Sequence, residues 1–271
     1  MNLKDFYKGN LFDCYNFFGA HKENDEFIFR TYAPTAKEVM IFGSFNDWKE
    51  EEMKKDEGGI FLFKTNKASF GDMYKYVIYS KDGHRYEHCD PYGFGMELRP
   101  AFASYITDSD EYRFTDERWL KNRTKNFNSP MNIYELHLGS WKTHNNQWYN
   151  YSELADILIP YVKENHHTHI EFMPISEHPA DCSWGYQNTG FFSPTSRYGK
   201  ASQLMELIDK CHNADIGVIL DFVPVHFAVD GYALARYDGT YLYEYPPSDV
   251  GISEWGTCNF NHAKGLSLIH I

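Results

Sequence analysis

The run SQLMELIDKCHNADIGVILDFVPVH, residues 202–226, carries the reading of the fold. Leu204, Leu207, Ile208 and Cys211 recur at helical spacing behind Ser202, which reads as the opening cap. The stretch 217–220, GVIL, is continuously apolar, as expected of a parallel strand covered on both faces. Asp221 and His226 follow its end. A carboxylate that ends an apolar strand needs a partner to offset its desolvation, and a cation or a substrate hydroxyl would serve.

The same grammar repeats upstream. Residues 168–173 read as a second strand, and 132–138 as a third. Between them Ser152 reads as the cap of a helix whose apolar face is Leu154, Ile157, Leu158, Tyr161 and Val162, with Pro160 expected to kink it. Strand, helix, strand, helix, strand is a parallel α/β unit. Pattern alone leaves an open doubly wound sheet and a barrel both available, although no glycine-rich phosphate loop follows the first strand. Polar and aromatic groups gather after each strand: His137 and Trp141, then Glu177, His178, Trp184 and Tyr186, then Asp221 and His226. The C-terminal ends of parallel strands form the active face of such folds. Plainer readings stand beside this one, with His137 as a satisfied core histidine and Glu177 and His178 as loop groups. His166, His167 and His169 read as a solvated turn rather than a metal cluster.

Before about residue 125 the pattern is different. Short runs at 27–32, 39–42, 60–63 and 74–79 are separated by turn signals at 33–34, Gly58-Gly59 and Asp82-Gly83. This spacing predicts an antiparallel β-sandwich, with positive φ at both Asp82 and Gly83 in a tight hairpin. A polar, aperiodic connector follows over 108–130. The net charge of −12 speaks against nucleic acid and against an anionic membrane surface. Aromatic residues make up 18% of the chain; most are expected in the core, but a protein that handles sugars has reason to expose some, because a pyranose packs its apolar face on a ring. Five scattered cysteines without a CxxC pair predict reduced thiols in a cytoplasmic protein. No leader-like or membrane-length apolar run is present in the sequence.

Three segments in order, NIYELHLGSW (132–141), EHPADCSWGYQNTGFFSPTSRYG (177–199) and DFVPVHFAVDGYALARYDGTYLYEY (221–245), resemble signatures of the 1,4-α-glucan (glycogen) branching enzymes. Upstream, GAH (19–21), RTYAPTAKEV (30–39) and GSFNDW (43–48) resemble the carbohydrate-binding β-sandwich of that family, and DPYGFGMELRP (90–100) the segment leading out of it. The resemblance implies a multidomain β plus α/β chain. It comprises a sandwich module over 1–115, a linker over 116–130 and the first three strands of an incomplete (β/α)8 TIM barrel over 131–265. The atypical stretch 266–271 reads as a non-native tail.

The implied chemistry is that of an α-amylase-like retaining glycosyltransferase of glycogen biosynthesis. An Asp attacks the anomeric carbon and a Glu protonates the leaving oxygen, with the carboxyls about 5 Å apart. The glucan segment then passes to a 6-hydroxyl instead of to water. On this resemblance Tyr186 stacks on the sugar, His226 binds its primary hydroxyl and Asp221 orients neighbouring groups. Trp184 and Gln187 are further contacts, and Trp48 is a glucan platform or a packing residue. The nucleophile pattern DGxRxDA and the fifth-strand Glu do not occur in these residues, so no catalytic pair is assigned. Recruiting Asp221 with Glu177 or Glu254 as that pair would rewrite the family geometry. Related amylases place a calcium-binding Asn where Val225 stands, so no metal and no cofactor are expected. The expected partner is α-glucan (glycogen or amylose), and the complete protein is expected to be a monomer. Alternative readings are a non-catalytic glucan-binding fragment and a related trehalohydrolase or debranching enzyme.

Overall fold

Alternating apolar side chains build the first sheets, because successive residues of a strand face opposite sides. Glu38–Gly43 alternates half-buried and buried positions, and Met73–Tyr79 buries Tyr74, Tyr76, Val77 and Ile78. The computed structural model describes residues 2–124 and 128–271, which divide into two compact units. The first takes the described residues up to Thr107 together with Ser176–Ser193 and Val223–Ile271; the second takes Asp108–Ile175 and Pro194–Phe222.

In the first unit, Gly19–Glu23, Glu26–Tyr32, Ile60–Thr65 and Lys54–Lys55 form one antiparallel sheet in that order. Glu51–Glu52, Glu38–Gly43, Met73–Tyr79 and Arg85–His88 form the other, and Ser104–Tyr105 also pairs with Met73–Tyr79. Their apolar faces share one core containing Phe29, Val39, Ile41, Phe61 and Ile78. The sandwich expected from the sequence is present. In the Asp82-Gly83 turn, however, only Gly83 has a positive φ, 87°. Ser80 and His84 close the loop through Ser80 N to His84 O at 3.0 Å, so it is longer than a two-residue turn and needs a single left-handed residue.

Residues from the last segment belong to the same core. Phe227, Leu234, Tyr237, Tyr243 and Phe260 are buried in it. Thr31 Oγ1 and Tyr237 Oη lie 2.6 Å apart, and Thr35 donates its amide and hydroxyl to the Asp238 carboxylate at 3.0 and 2.7 Å. Gly265–His270 is helical, and the Ser267 hydroxyl donates to the Tyr243 carbonyl at 2.7 Å.

The second unit holds three parallel strands, Ile133–Leu136, His169–Phe172 and Gly217–Leu220, side by side in sequence order. Their register aligns Leu136, Phe172 and Leu220 at one end. The helices Tyr151–Glu164 and Ala201–Asn213 supply Leu154, Leu158, Val162, Leu207 and Cys211 to the core over this sheet. Both caps differ from expectation. Asn150, not Ser152, caps the first helix: its Oδ1 accepts from Glu153 N and its own amide donates to Glu153 Oε2, each at 2.9 Å. This reciprocal pair holds the start two residues earlier than the serine would. The second helix starts after Lys200, whose amide donates to Gln203 Oε1 at 2.9 Å, so Ser202 lies inside it. Gly217–Leu220 is not covered on both faces either. It pairs only with His169–Phe172 among the described residues, and Leu220 is 48% exposed.

The linker expected over 116–130 includes 125–127, which lie outside the described residues. No helix among the described residues is long and apolar enough to cross a membrane.

Candidate functional site

Within the first unit, Ser176–Glu177 and Gly190–Pro194 pair as a short hairpin, and the loop between them carries Trp184, Tyr186 and Gln187. The loop has a built interior. Glu177 and His178 are buried, with the His178 amide donating to Glu177 Oε1 at 3.0 Å and His178 Nδ1 lying 2.9 Å from the Ser176 carbonyl. The Thr189 amide donates to the Glu177 carbonyl at 2.8 Å. A Cβ on Gly190 would come within 2.4 Å of Met96 Sδ, so a larger residue there would require the Met96 side chain to shift. On the outer side Arg99 grips the Asp181 carboxylate in a two-pronged fork, with Nε to Oδ1 at 2.6 Å.

Asp181–Ser183 forms a single 3-10 turn that presents the aromatic pair. The Ser183 hydroxyl donates to the Ala180 carbonyl at 2.9 Å, and the Tyr186 amide to the Ser183 carbonyl at 3.2 Å. Trp184 has φ 54° and is 56% exposed. A tryptophan in the left-handed region, with its ring toward solvent, is strain that packing does not offset. Tyr186 and Gln187 are half-buried next to it.

The second element of the site is the strand His226–Phe227, paired antiparallel with Cys258–Asn259. The His226 ring is buried, and its Nδ1 has no hydrogen-bond partner among the described residues. Burial pushes the His226 pKa below the ordinary imidazole value, so the ring is neutral near pH 7. Two residues on, the Ala228 amide donates to the Asn188 carbonyl at 3.0 Å. Asn188 is itself buried and its side-chain Oδ1 lacks a partner. Both atoms are closed off from the surface, so each is an unsatisfied polar group inside the fold on adjoining segments. Val225, beside His226, is 53% exposed and offers only methyl groups, a poor surface for a hard cation.

The second unit places its own sequence-predicted groups at the strand ends. Asp221, half-buried, directly follows Leu220, and its amide donates to the Phe172 carbonyl at 3.0 Å. His137 Nδ1 lies 3.0 Å from Ser140 Oγ. Burial, with the Arg197 charge adding to it, lowers the His137 pKa. Trp141 departs from a binding role: its Nε1 donates to Tyr134 Oη at 2.9 Å, its ring meets Tyr161 edge-on, and Lys142 covers it at 4.5 Å. A short helix, Leu138–Trp141, turns the ring into this packing. The three histidines diverge. His166 has a left-handed φ, His167 packs on Tyr134 at 5.0 Å, and His169 Nδ1 lies 2.8 Å from Thr168 Oγ1.

Trp48, in the sandwich, is 41% exposed and meets Phe42 edge-on at 5.6 Å, so one part of its ring packs while the rest faces solvent. Glu254 is exposed in a turn. Asn188 was missed in the sequence reading, because an asparagine between Gln187 and Thr189 looks like any loop residue until its burial is known.

Residues 17–93 match carbohydrate-binding module 48 (isoamylase N-terminal domain), and residues 156–238 match the α-amylase catalytic domain. Among solved structures, a pullulanase from Paenibacillus barengoltzii in complex with maltohexaose and α-cyclodextrin superposes with a TM-score of 0.76 at 20% identity, over 98% of this chain and 48% of that one. A putative α-amylase from Salmonella typhimurium gives 0.72 at 23% identity, over 90% of this chain and 38% of that one. These establish the fold, a sandwich module with the opening strands of an α-amylase-type barrel. The 1,4-alpha-glucan branching enzyme GlgB of Fusobacterium nucleatum is 44% identical over 96% of the chain, and that of Francisella tularensis (strain FSC 198) is 46% identical over 94%. The chain spans about two-fifths of the length of these relatives, 43% and 42%. By sequence, the chain is similar over nearly its whole length to the 1,4-alpha-glucan branching enzymes.

Proposed function

We propose that this chain supplies the glucan-binding portion of a 1,4-α-glucan branching enzyme. That enzyme cleaves an α-1,4 link and rejoins the freed segment to a 6-hydroxyl with retention. The observation that carries the reading is His226, an imidazole that burial keeps neutral, in the family's DFVPVH segment. In a retaining transfer the sugar must be fixed before attack, and each positioning contact made in the transition state lowers the barrier. Tyr186 stacks on the ring at the cleaved bond, His226 takes its primary hydroxyl, and Asp221 orients neighbouring groups; Trp184 and Gln187 line the same chain. Trp48 serves as a separate platform on the sandwich.

The nucleophile and acid are not assigned to any residue of this chain, so the 271 residues bind glucan without remodelling it. The substrate is glycogen- or amylose-like α-glucan, and the complete enzyme is a cytoplasmic monomer needing no cofactor. The division into a module over 1–115, a linker over 116–130, a barrel segment over 131–265 and an atypical final stretch over 266–271 belongs to the same proposal.

Calorimetry with maltoheptaose tests the binding half. The expected result is saturable binding with no change in amylose–iodine colour and no release of reducing ends. Absence of binding, or iodine-colour loss by the chain alone, refutes the reading. A debranching hydrolase is the second reading, since pullulanases share the fold, but their identity of 20% carries fold alone.

A further inference from the structure

Trp255 stands out among the exposed rings. It is 65% exposed, more than Trp184 or Trp48, yet its backbone sits in a hydrogen-bonded turn. The Ser253 amide donates to the Thr257 carbonyl at 2.9 Å and the Gly256 amide to the Ser253 carbonyl at 2.9 Å. The Ser253 hydroxyl oxygen also accepts from the Trp255 and Thr257 amides, each at 3.2 Å. The turn is anchored on the His226–Phe227 strand through Cys258–Asn259, and Asn259 Nδ2 donates to the Val250 carbonyl at 2.9 Å. Nothing in that bonding needs an indole, since every contact comes from backbone or from Ser253, Thr257 and Asn259. A large ring exposed on a rigid turn exposes apolar surface without contributing to the fold.

Its neighbour explains the placement. The Trp255 ring centre lies 5.6 Å from that of His226, with 37° between the planes. A flat apolar plate therefore stands beside the imidazole to which the proposed function gives the sugar's primary hydroxyl. A pyranose fits this combination of apolar face and hydrogen-bonding group.

We infer that Trp255 is a glucan-binding residue, an aromatic platform for the glucosyl unit next to the one held at His226. The inference rests on the proposed glucan site and deepens it, because a two-point hold of this kind selects linked sugars over single ones. Maltose and longer chains engage both groups, whereas glucose reaches only one.

The test uses the full chain carrying Trp48→Ala, so that the sandwich platform does not contribute. Maltoheptaose and glucose are titrated by calorimetry, and iodide quenching of tryptophan fluorescence is read with and without maltoheptaose. Trp255→Ala is expected to weaken maltoheptaose binding roughly five- to tenfold, as the loss of one ring stack does. Trp255→Phe should restore it to within about twofold, because the phenyl ring keeps a face to stack on. In the Trp48→Ala parent, maltoheptaose should shield tryptophan fluorescence from iodide, and this shielding should shrink in Trp255→Ala. An unchanged far-ultraviolet spectrum and urea midpoint exclude unfolding as the cause. If the parent binds and Trp255→Ala binds equally well, the inference falls while the glucan site stands. If the parent itself fails to bind, the glucan reading falls and takes the inference with it.

Discussion

Asp209 is the most informative stability probe of the second unit. It lies on the helix Ala201–Asn213 and is 3% exposed. Its carboxylate accepts from Tyr112 Oη at 2.8 Å, Thr115 N at 2.9 Å and Thr115 Oγ1 at 2.8 Å. The aperiodic segment after Asp108 is thus tied to the helix that leads into Gly217–Leu220 and Asp221. Burial pushes the Asp209 pKa up, but the Tyr112 and Thr115 donors outweigh it and leave the group below the ordinary carboxylate value. Asp209→Ala strands three donors at once. Each bond to a charged acceptor contributes ~1.5–3 kcal/mol, and the losses are not additive. Tyr112 and Thr115 stand near solvent, so we expect a loss of about 2–3 kcal/mol, with about half of that for Asp209→Asn. A folded pKa below the unfolded one means stabilisation that is complete above about pH 4 and is lost as pH falls through the folded value. Urea titrations at pH 7 and pH 3, followed by hydrogen exchange at 108–116, read both effects. The gap between wild type and Asp209→Asn should narrow at pH 3. A change below about 0.5 kcal/mol at pH 7, within extrapolation error, would falsify the account.

Burial drives the His88 pKa from 6.5 down to about 4, with its Nδ1 held 2.8 Å from the Ala233 carbonyl and its Nε2 unpartnered. The first unit should therefore lose up to ~3 kcal/mol as pH falls from 6.5 toward 4, and His88→Gln should flatten that part of the pH profile. His270, pushed down to about 3 by burial among rings, should show the same sign, so an unchanged profile in both single variants would sink the assignment. Trp48→Ala should slow less in amylose affinity gels, by up to about tenfold in Kd, with a small change in urea midpoint because its ring is half exposed. Calcium should leave the melting temperature in place, since Val225 presents no oxygen; a rise of several degrees at millimolar calcium would overturn this.

The legible part of this protein was periodic. Alternation in 38–43 and 73–79 placed two sandwich strands, and apolar spacing in 151–164 and 201–213 placed both helices. What escaped was decided by contacts between distant segments. Ser152 and Asn150 are both good caps by composition, and only the Glu153 carboxylate reaching back to the Asn150 amide separates them. GVIL looks doubly covered because apolarity records what a strand can bury, while the exposure of Leu220 records what lies beside it. Trp141 and Trp255 make the same point for the site. Trp141 closes the 132–141 motif and Trp255 lies beyond the 221–245 one, and sequence alone does not say which ring stays free. Folding gives Trp141 a bond to Tyr134 and a cover of Lys142, and leaves Trp255 bare beside the His226 imidazole. A ring's availability to a sugar is a property of the surfaces left over after packing. For that reason the motif could locate the binding face, and only the fold could tell which of its aromatics remain free to use it.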